Sequence, residues 1–145
     1  MAFWAPDEAG RIQLWVRELG TPQARMLPDT AITEHDVTGL QPVFSPDGRA
    51  LVAFLNGKLQ RISLDGGSPQ TLADAPQPRG ATWGVDGQIV YQPAVGGALH
   101  VIAASGGTPR PLPEAKPLDD RRAGPRHPFF LPDGKHFLFS EGSSG

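Results

Sequence analysis

Three short turn signals at near-regular intervals constrain this chain more than anything else in it. "SPDGR" at 45–49, "GVDGQ" at 84–88 and "LPDGK" at 131–135 each precede a β-rich run: "ALVAFL", "IVYQ" and "HFLFS". Asp-Gly in this setting suits a type I turn closed by a left-handed glycine, which joins two adjacent antiparallel strands. A second signal ends each complete unit, "SLDGGSPQTL" at 63–72 and "AASGGTPRPL" at 103–112, with a looser "RELGTPQARML" at 17–27. Gly48 and Gly87 are 39 residues apart, Gly87 and Gly134 are 47 apart, and Gly67 and Gly107 are 40 apart.

Self-similarity at this period, with four short strands per unit, is the signature of a β-propeller blade. In the second unit the innermost strand is expected at "QPVFS", the next at "ALVAFL", the third at "KLQRISL" and the outermost at "PQTL". Asn56-Gly57 joins the middle pair, because Asn-Gly takes positive φ cheaply at both positions of a two-residue hairpin. The 18 glycines and 16 prolines fit many short strands with tight turns, and helical spacing of apolar residues is absent. The chain therefore reads as all-β: a β-propeller fragment of about three blades, each a four-stranded antiparallel sheet. The expected division is 10–30 as the end of a first blade, 32–74 as a second, 75–114 as a third, 115–140 as the start of a fourth, and 141–145 as a tail or linker.

"PVFSPDGRALVAF", "GKLQRISLDGGSPQTL", "RGATWGVDGQIVYQP" and "RHPFFLPDGKHFLF" resemble the TolB-type propeller repeats of bacterial periplasmic proteins. Similar repeats extend bacterial serine/threonine kinases and precede some serine peptidases. The resemblance runs roughly over residues 10 to 140 and implies a repeat type, often extracytoplasmic, without fixing a task. No kinase or peptidase sequence accompanies the repeats, so neither activity is carried over.

Rings of this kind close with about six or more blades of roughly 40 residues each. This chain of 145 residues holds about half of that. The N-terminal part is expected to supply a third strand, "RIQLWVREL", and an outer one near "ARML"; the C-terminal part an inner strand, "HPFFL", and a second, "KHFLFS". A twofold homodimer would then complete a six-bladed ring with two blades shared between chains. "AFWA" at 2–5 competes with 136–140 for the second-strand place of the shared blade, and the C-terminal segment is expected to win. An isolated or engineered fragment whose property is self-assembly is a third reading of the same pattern.

A hydrophobic content of 39% with 19% charged residues allows a packed core. The formal net charge of −2 lacks the positive excess that drives nucleic-acid or acidic-membrane binding. Neither a nucleic acid nor insertion into a membrane is expected, and the start "MAFWAPDEAG" shows no targeting segment. With no cysteine there is no disulfide framework, thiolate metal site or cysteine nucleophile.

G-x-S-x-G, P-loop, H-E-x-x-H and dinucleotide-turn patterns are all missing, so a functional site has to come from residues that converge in space. Propeller topology gathers the connections from outer to next inner strand at one channel mouth, with the middle-hairpin turns. Those connections are "TAITEHDVTGLQ", "ADAPQPRG" and "EAKPLDDRRAGPRH". They carry Glu34, His35, Asp36, Arg79, Asp119, Asp120, Arg121, Arg122, Arg126 and His127.

The leading expectation is a non-catalytic scaffold whose mouth binds a protein or small ligand, with Arg79, Arg126 and Asp36 as the ligand-binding residues. The alternative is a metal-dependent hydrolase of esters or phosphoesters. In it His35, His127 and Glu34 hold zinc or another divalent transition metal near the dimer axis, and the arginines hold the anion. His136 is expected to pack across strands and His100 between blades, and Trp4, Trp15 and Trp83 to fill space between blades.

Overall fold

The computed structural model describes residues 1–33, 41–115 and 124–141. Four antiparallel sheets follow one another along the chain. The first is β1 (Ala2–Pro6), β2 (Ile12–Arg17) and β3 (Ala24–Met26), in the order β1-β2-β3. The second is β4 (Val43–Phe44), β5 (Ala50–Leu55), β6 (Lys58–Ser63) and β7 (Gln70–Asp74), again in sequence order. The third is β8 (Ala81–Trp83), β9 (Gln88–Tyr91), β10 (His100–Ala103) and β11 (Arg110–Pro111). The fourth is the pair β12 (Pro125–Phe130) and β13 (Phe137–Glu141). A single 3-10 turn, Pro113–Ala115, is the helical element among the described residues. No helix there is long and apolar enough to cross a membrane.

The turns carry the chemistry their sequences call for. Ser45 N–H donates to Ala50 O, Gly84 N–H to Gln88 O and Leu131 N–H to His136 O, each at 2.8 Å. Gly48, Gly87 and Gly134 close those turns at φ of 71°, 79° and 66°. Asn56 and Gly57 both sit at positive φ, 51° and 74°, as a two-residue hairpin demands. The matching turn bonds also set an internal equivalence. Leu51, Ile89 and Phe137 hold one position of the repeat, Ala53, Tyr91 and Phe139 the next but one, and Phe54 and Gln92 the one after.

Alternation along each strand then serves two cores at once. Leu51, Ala53 and Leu55 of β5 join Leu14, Val16, Leu27 and Ile32 of the first sheet. Val52 and Phe54, one residue over, join Ile89, Tyr91 and Ile102 of the third. Every residue of β5 is buried, which is why "ALVAFL" reads as an unbroken apolar run rather than an alternating one. A third cluster, Val90, Leu99, Val101, Leu112 and Ala115, is partly covered by Phe130 and Phe137 of the fourth sheet. β8 packs against both β4 and β12, so the leading strands of three successive sheets stand side by side.

One expectation is corrected. The N-terminal sheet has three strands, not two, because Ala2–Pro6 folds back on Ile12–Arg17 with Phe3 opposite Trp15 and Trp4 opposite Leu14. This segment takes the second-strand place beside β2, the place expected for residues 136–140 of another copy. The physical reason is proximity in the chain: a loop of a few residues costs little to close, and Trp4 gains a place against the Leu14–Leu51 core. Residues 137–141 pair with β12, as expected of an inner strand and the second strand that follows it.

Candidate functional site

Three segments meet at one end of the third and fourth sheets. They are the connection Gln77–Gly80, the start of the β9–β10 connection from Gln92, and the start of β12 from Gly124. The backbone ties them together: Gln77 N–H donates to Pro93 O at 3.1 Å, Arg79 N–H to Gln92 O at 3.2 Å and Gln92 N–H to Gly80 O at 3.0 Å. His127 N–H donates to Arg79 O at 2.7 Å, which joins the fourth sheet to the third.

His127 is unusual in its backbone. Its φ is +52°, and the β12–β13 register shifts between Arg126 and Phe129. Pro128 follows and has no N–H to give the ladder, so pairing breaks there and the strand bulges. Such a bulge re-aims the side chain, and the imidazole is exposed. Gly80 makes the approach possible. It sits at φ +114°, and a β-carbon on it would lie 3.4 Å from His127 Nδ1 and closer still to the His127 backbone.

Polar groups around this junction are incompletely partnered. Gln92 is fully buried; its Nε2 donates to Gly97 O at 2.8 Å while its Oε1 has no partner. Arg126 Nε is also buried without one. These are the two unpartnered buried side-chain polar atoms among the described residues, and both lie on the converging segments. The Arg79 guanidinium is half-buried and donates from one terminal nitrogen to Pro78 O at 3.0 Å.

Of the residues singled out in the sequence, Arg79, Arg126 and His127 are thus brought to one junction. Glu34, His35, Asp36, Asp119, Asp120, Arg121 and Arg122 lie outside the described residues. Among the described residues no three His, Cys, Asp or Glu side chains form a group that could hold a metal ion. Gln92 was missed. The signal for it is a polar residue where the preceding repeat has the buried Phe54.

The remaining expectations divide. Trp4 packs on the core between the first two sheets and Trp83 on the core between the second and third. Trp15 uses its indole N–H on Ala5 O at 3.1 Å, within its own sheet. His100 pairs with Tyr91 across strands, ring centroids 6.0 Å apart. His136 is a correction: it precedes β13, is exposed, and sets Nδ1 2.6 Å from Asp133 Oδ2, so it closes the turn rather than packing across strands. That hydrogen bond, with the backbone N–H groups of Lys135 and His136, pulls the Asp133 carboxyl down to about 2. Burial raises the Tyr91 phenol to about 12, so it stays neutral.

No family model matches the chain, and no curated protein matches it. Among solved structures, selenomethionine-substituted virginiamycin B lyase from Staphylococcus aureus is similar with a TM-score of 0.54 and 19% identity. The match covers 95% of this chain and 47% of the lyase. A catalytically inactive variant of the same lyase with quinupristin gives a TM-score of 0.43 and 17% identity, over 95% of this chain and 61% of that one. The first of these likenesses shows a β-propeller fold. It does not extend to the TolB-type family, and the chain spans about half the length of the lyase it matches.

Proposed function

We propose that this chain is a non-catalytic propeller module whose mouth binds an anionic group, on a protein or a small ligand, through Arg79, Arg126 and His127. One observation carries the reading: the unpartnered buried Arg126 Nε and Gln92 Oε1 stand on the same three segments as the exposed His127. A buried polar atom without a partner costs about 1–3 kcal/mol, and natural folds keep few of them. A ligand that supplies an acceptor to Arg126 and a donor to Gln92 would recover that cost. The two guanidinium groups, with fixed planar donors, suit a carboxylate or phosphate.

Titration of the protein with inorganic phosphate and with citrate, followed through backbone amide resonances, tests the reading. Shifts centred on Arg79, Gln92, Arg126 and His127 are expected, with affinity reduced at least about tenfold in Arg126→Ala, the loss of one charge-assisted hydrogen bond. Saturable shifts elsewhere, or unchanged affinity in the variant, would sink it. The metal-hydrolase alternative would use His127 with Glu34 and His35 around a zinc-like ion. Ester or phosphoester turnover that disappears both with chelator and in His127→Ala would put that alternative in its place.

A further inference from the structure

Gln92 stands where the preceding repeat has an apolar side chain, the buried Phe54. It is 0% exposed, and its backbone is held on both sides. Its N–H donates to Gly80 O at 3.0 Å, and its carbonyl accepts from Arg79 N–H at 3.2 Å. The side-chain amide is held as well. Nε2 donates to Gly97 O at 2.8 Å, and a β-carbon on Gly124, the residue before β12, would stand 3.1 Å from that nitrogen. Turning the amide over would lose the bond to Gly97 and set Oε1 against its carbonyl, oxygen against oxygen. The orientation is therefore determined, with Oε1 the atom left over.

Other buried polar side chains are not left in this state. The hydroxyl oxygens of Thr30, Ser45 and Thr82 all take part in hydrogen bonds with the backbone. Gln92 Oε1 and Arg126 Nε are the two exceptions among the described residues, and they are opposite in kind, one an acceptor and one a donor. Arg79 links their segments, since it donates to Gln92 O and accepts from the N–H of His127, the neighbour of Arg126.

We propose that the site selects an anion that carries an O–H beside its ionised oxygens, as hydrogen phosphate or a hydroxy acid does, and that Gln92 determines this specificity. The proposal rests on the anion-binding function above and narrows its ligand class. Arg126 Nε–H donates to an ionised oxygen, while the ligand's O–H donates to Gln92 Oε1. An anion with acceptors alone satisfies Arg126 but leaves Oε1 facing another oxygen, so the cost of a buried unpaired acceptor remains. A site built to hydrogen-bond a ligand hydroxyl rejects the analogue that lacks it far more strongly than an apolar pocket rejects a change of size.

Two matched pairs of ligands, titrated calorimetrically into the unmodified chain, test this. At about pH 7 inorganic phosphate keeps an O–H in either ionised form, whereas sulfate, of the same tetrahedral shape, has none. Citrate has a hydroxyl that tricarballylate lacks. Expected is at least about tenfold tighter binding of the O–H member in one pair or both, with the ratio falling to about one in Gln92→Met. A purely structural role of Gln92 would weaken both members of a pair alike and leave their ratio in place. Preference confined to the first pair assigns a phosphoryl group, and preference confined to the second a hydroxy acid; either supports the proposal. A ratio near one in both pairs, or a ratio unchanged in Gln92→Met, overturns it while anion binding itself stands. Failure of all four ligands to bind removes the anion-binding function along with it. The pair contrast is read on the unmodified chain, so it decides even where the variant does not fold.

Discussion

Gly80 lies directly under His127: a β-carbon at position 80 would stand 3.0 Å from the α-carbon of His127 and 3.2 Å from its amide nitrogen. Both contacts are to backbone that a hydrogen bond to Arg79 already fixes, so neither can yield without moving β12. Gly80→Ala is expected to destabilise the fold by about 1–3 kcal/mol, through crowding and through the strained φ. It should also weaken phosphate or citrate binding, which a denaturant midpoint and a titration on the same sample would check.

Gly57 provides the contrast. A β-carbon there would meet Pro76 Cα at 3.8 Å, an ordinary contact, so only the left-handed backbone opposes a side chain. Gly57→Ala is expected to cost about 1–2 kcal/mol and to leave anion binding unchanged. Equal damage to binding in the two variants would remove Gly80 from the site.

Asp7 accepts hydrogen bonds from the backbone N–H groups of Ala9 and Arg11 at 2.9 Å, from Arg11 Nε at 2.9 Å and from Gln13 Nε2 at 2.6 Å. The Arg11 amide and then Gln13 contribute most to holding its carboxyl at about 2, below the ordinary 3.8. A carboxyl depressed on folding stabilises above its unfolded pKa, and the contribution is lost as pH falls through the folded value. Asp7 and Asp133 therefore predict stability that declines between about pH 4 and pH 2. Asp7→Asn should be less stable at pH 6 and show a shallower decline; urea midpoints across that range decide.

Leu14 and Leu138 differ by their surroundings rather than their chemistry. Leu14 is 0% exposed in the core between the first two sheets, and Leu138 is 61% exposed on β13. Leu14→Ala is expected to cost about 2–5 kcal/mol and Leu138→Ser less than about 0.5 kcal/mol. A large loss at Leu138 would mean that its face is covered in solution.

Molar mass separates the assemblies. With β1 seated beside β2, light scattering at micromolar concentration is expected to report the single-chain mass of 15.4 kDa. A ring closed by two copies would double that mass and would expose the amides of either β1 or β13 to exchange, since five strands compete for four places.

The turns were the most legible part of the sequence. Asp-Gly at 47–48, 86–87 and 133–134 and Asn-Gly at 56–57 fix backbone dihedrals locally, so their hairpins could be placed without knowing the rest. β1 was read as a rival to residues 136–140 because an "AFWA" pattern names a strand but not its neighbour; loop closure decided the pairing. At the site, Arg79, Arg126 and His127 were legible as chemistry, and their convergence followed from topology. Gln92 was not legible that way, since an amide following an apolar run carries no signal until its burial is known. Nor was the bulge at His127, which depends on how β12 meets Gly80, although the Pro after it was a hint.

Each four-stranded sheet is wound from one uninterrupted stretch of chain, with every strand beside its immediate predecessor. Such a module can be copied or deleted in a gene as a block, because no strand has to be rethreaded through a neighbour. Variation in the number of modules is therefore an accessible route by which this architecture lengthens or shortens while its hairpins stay as they are.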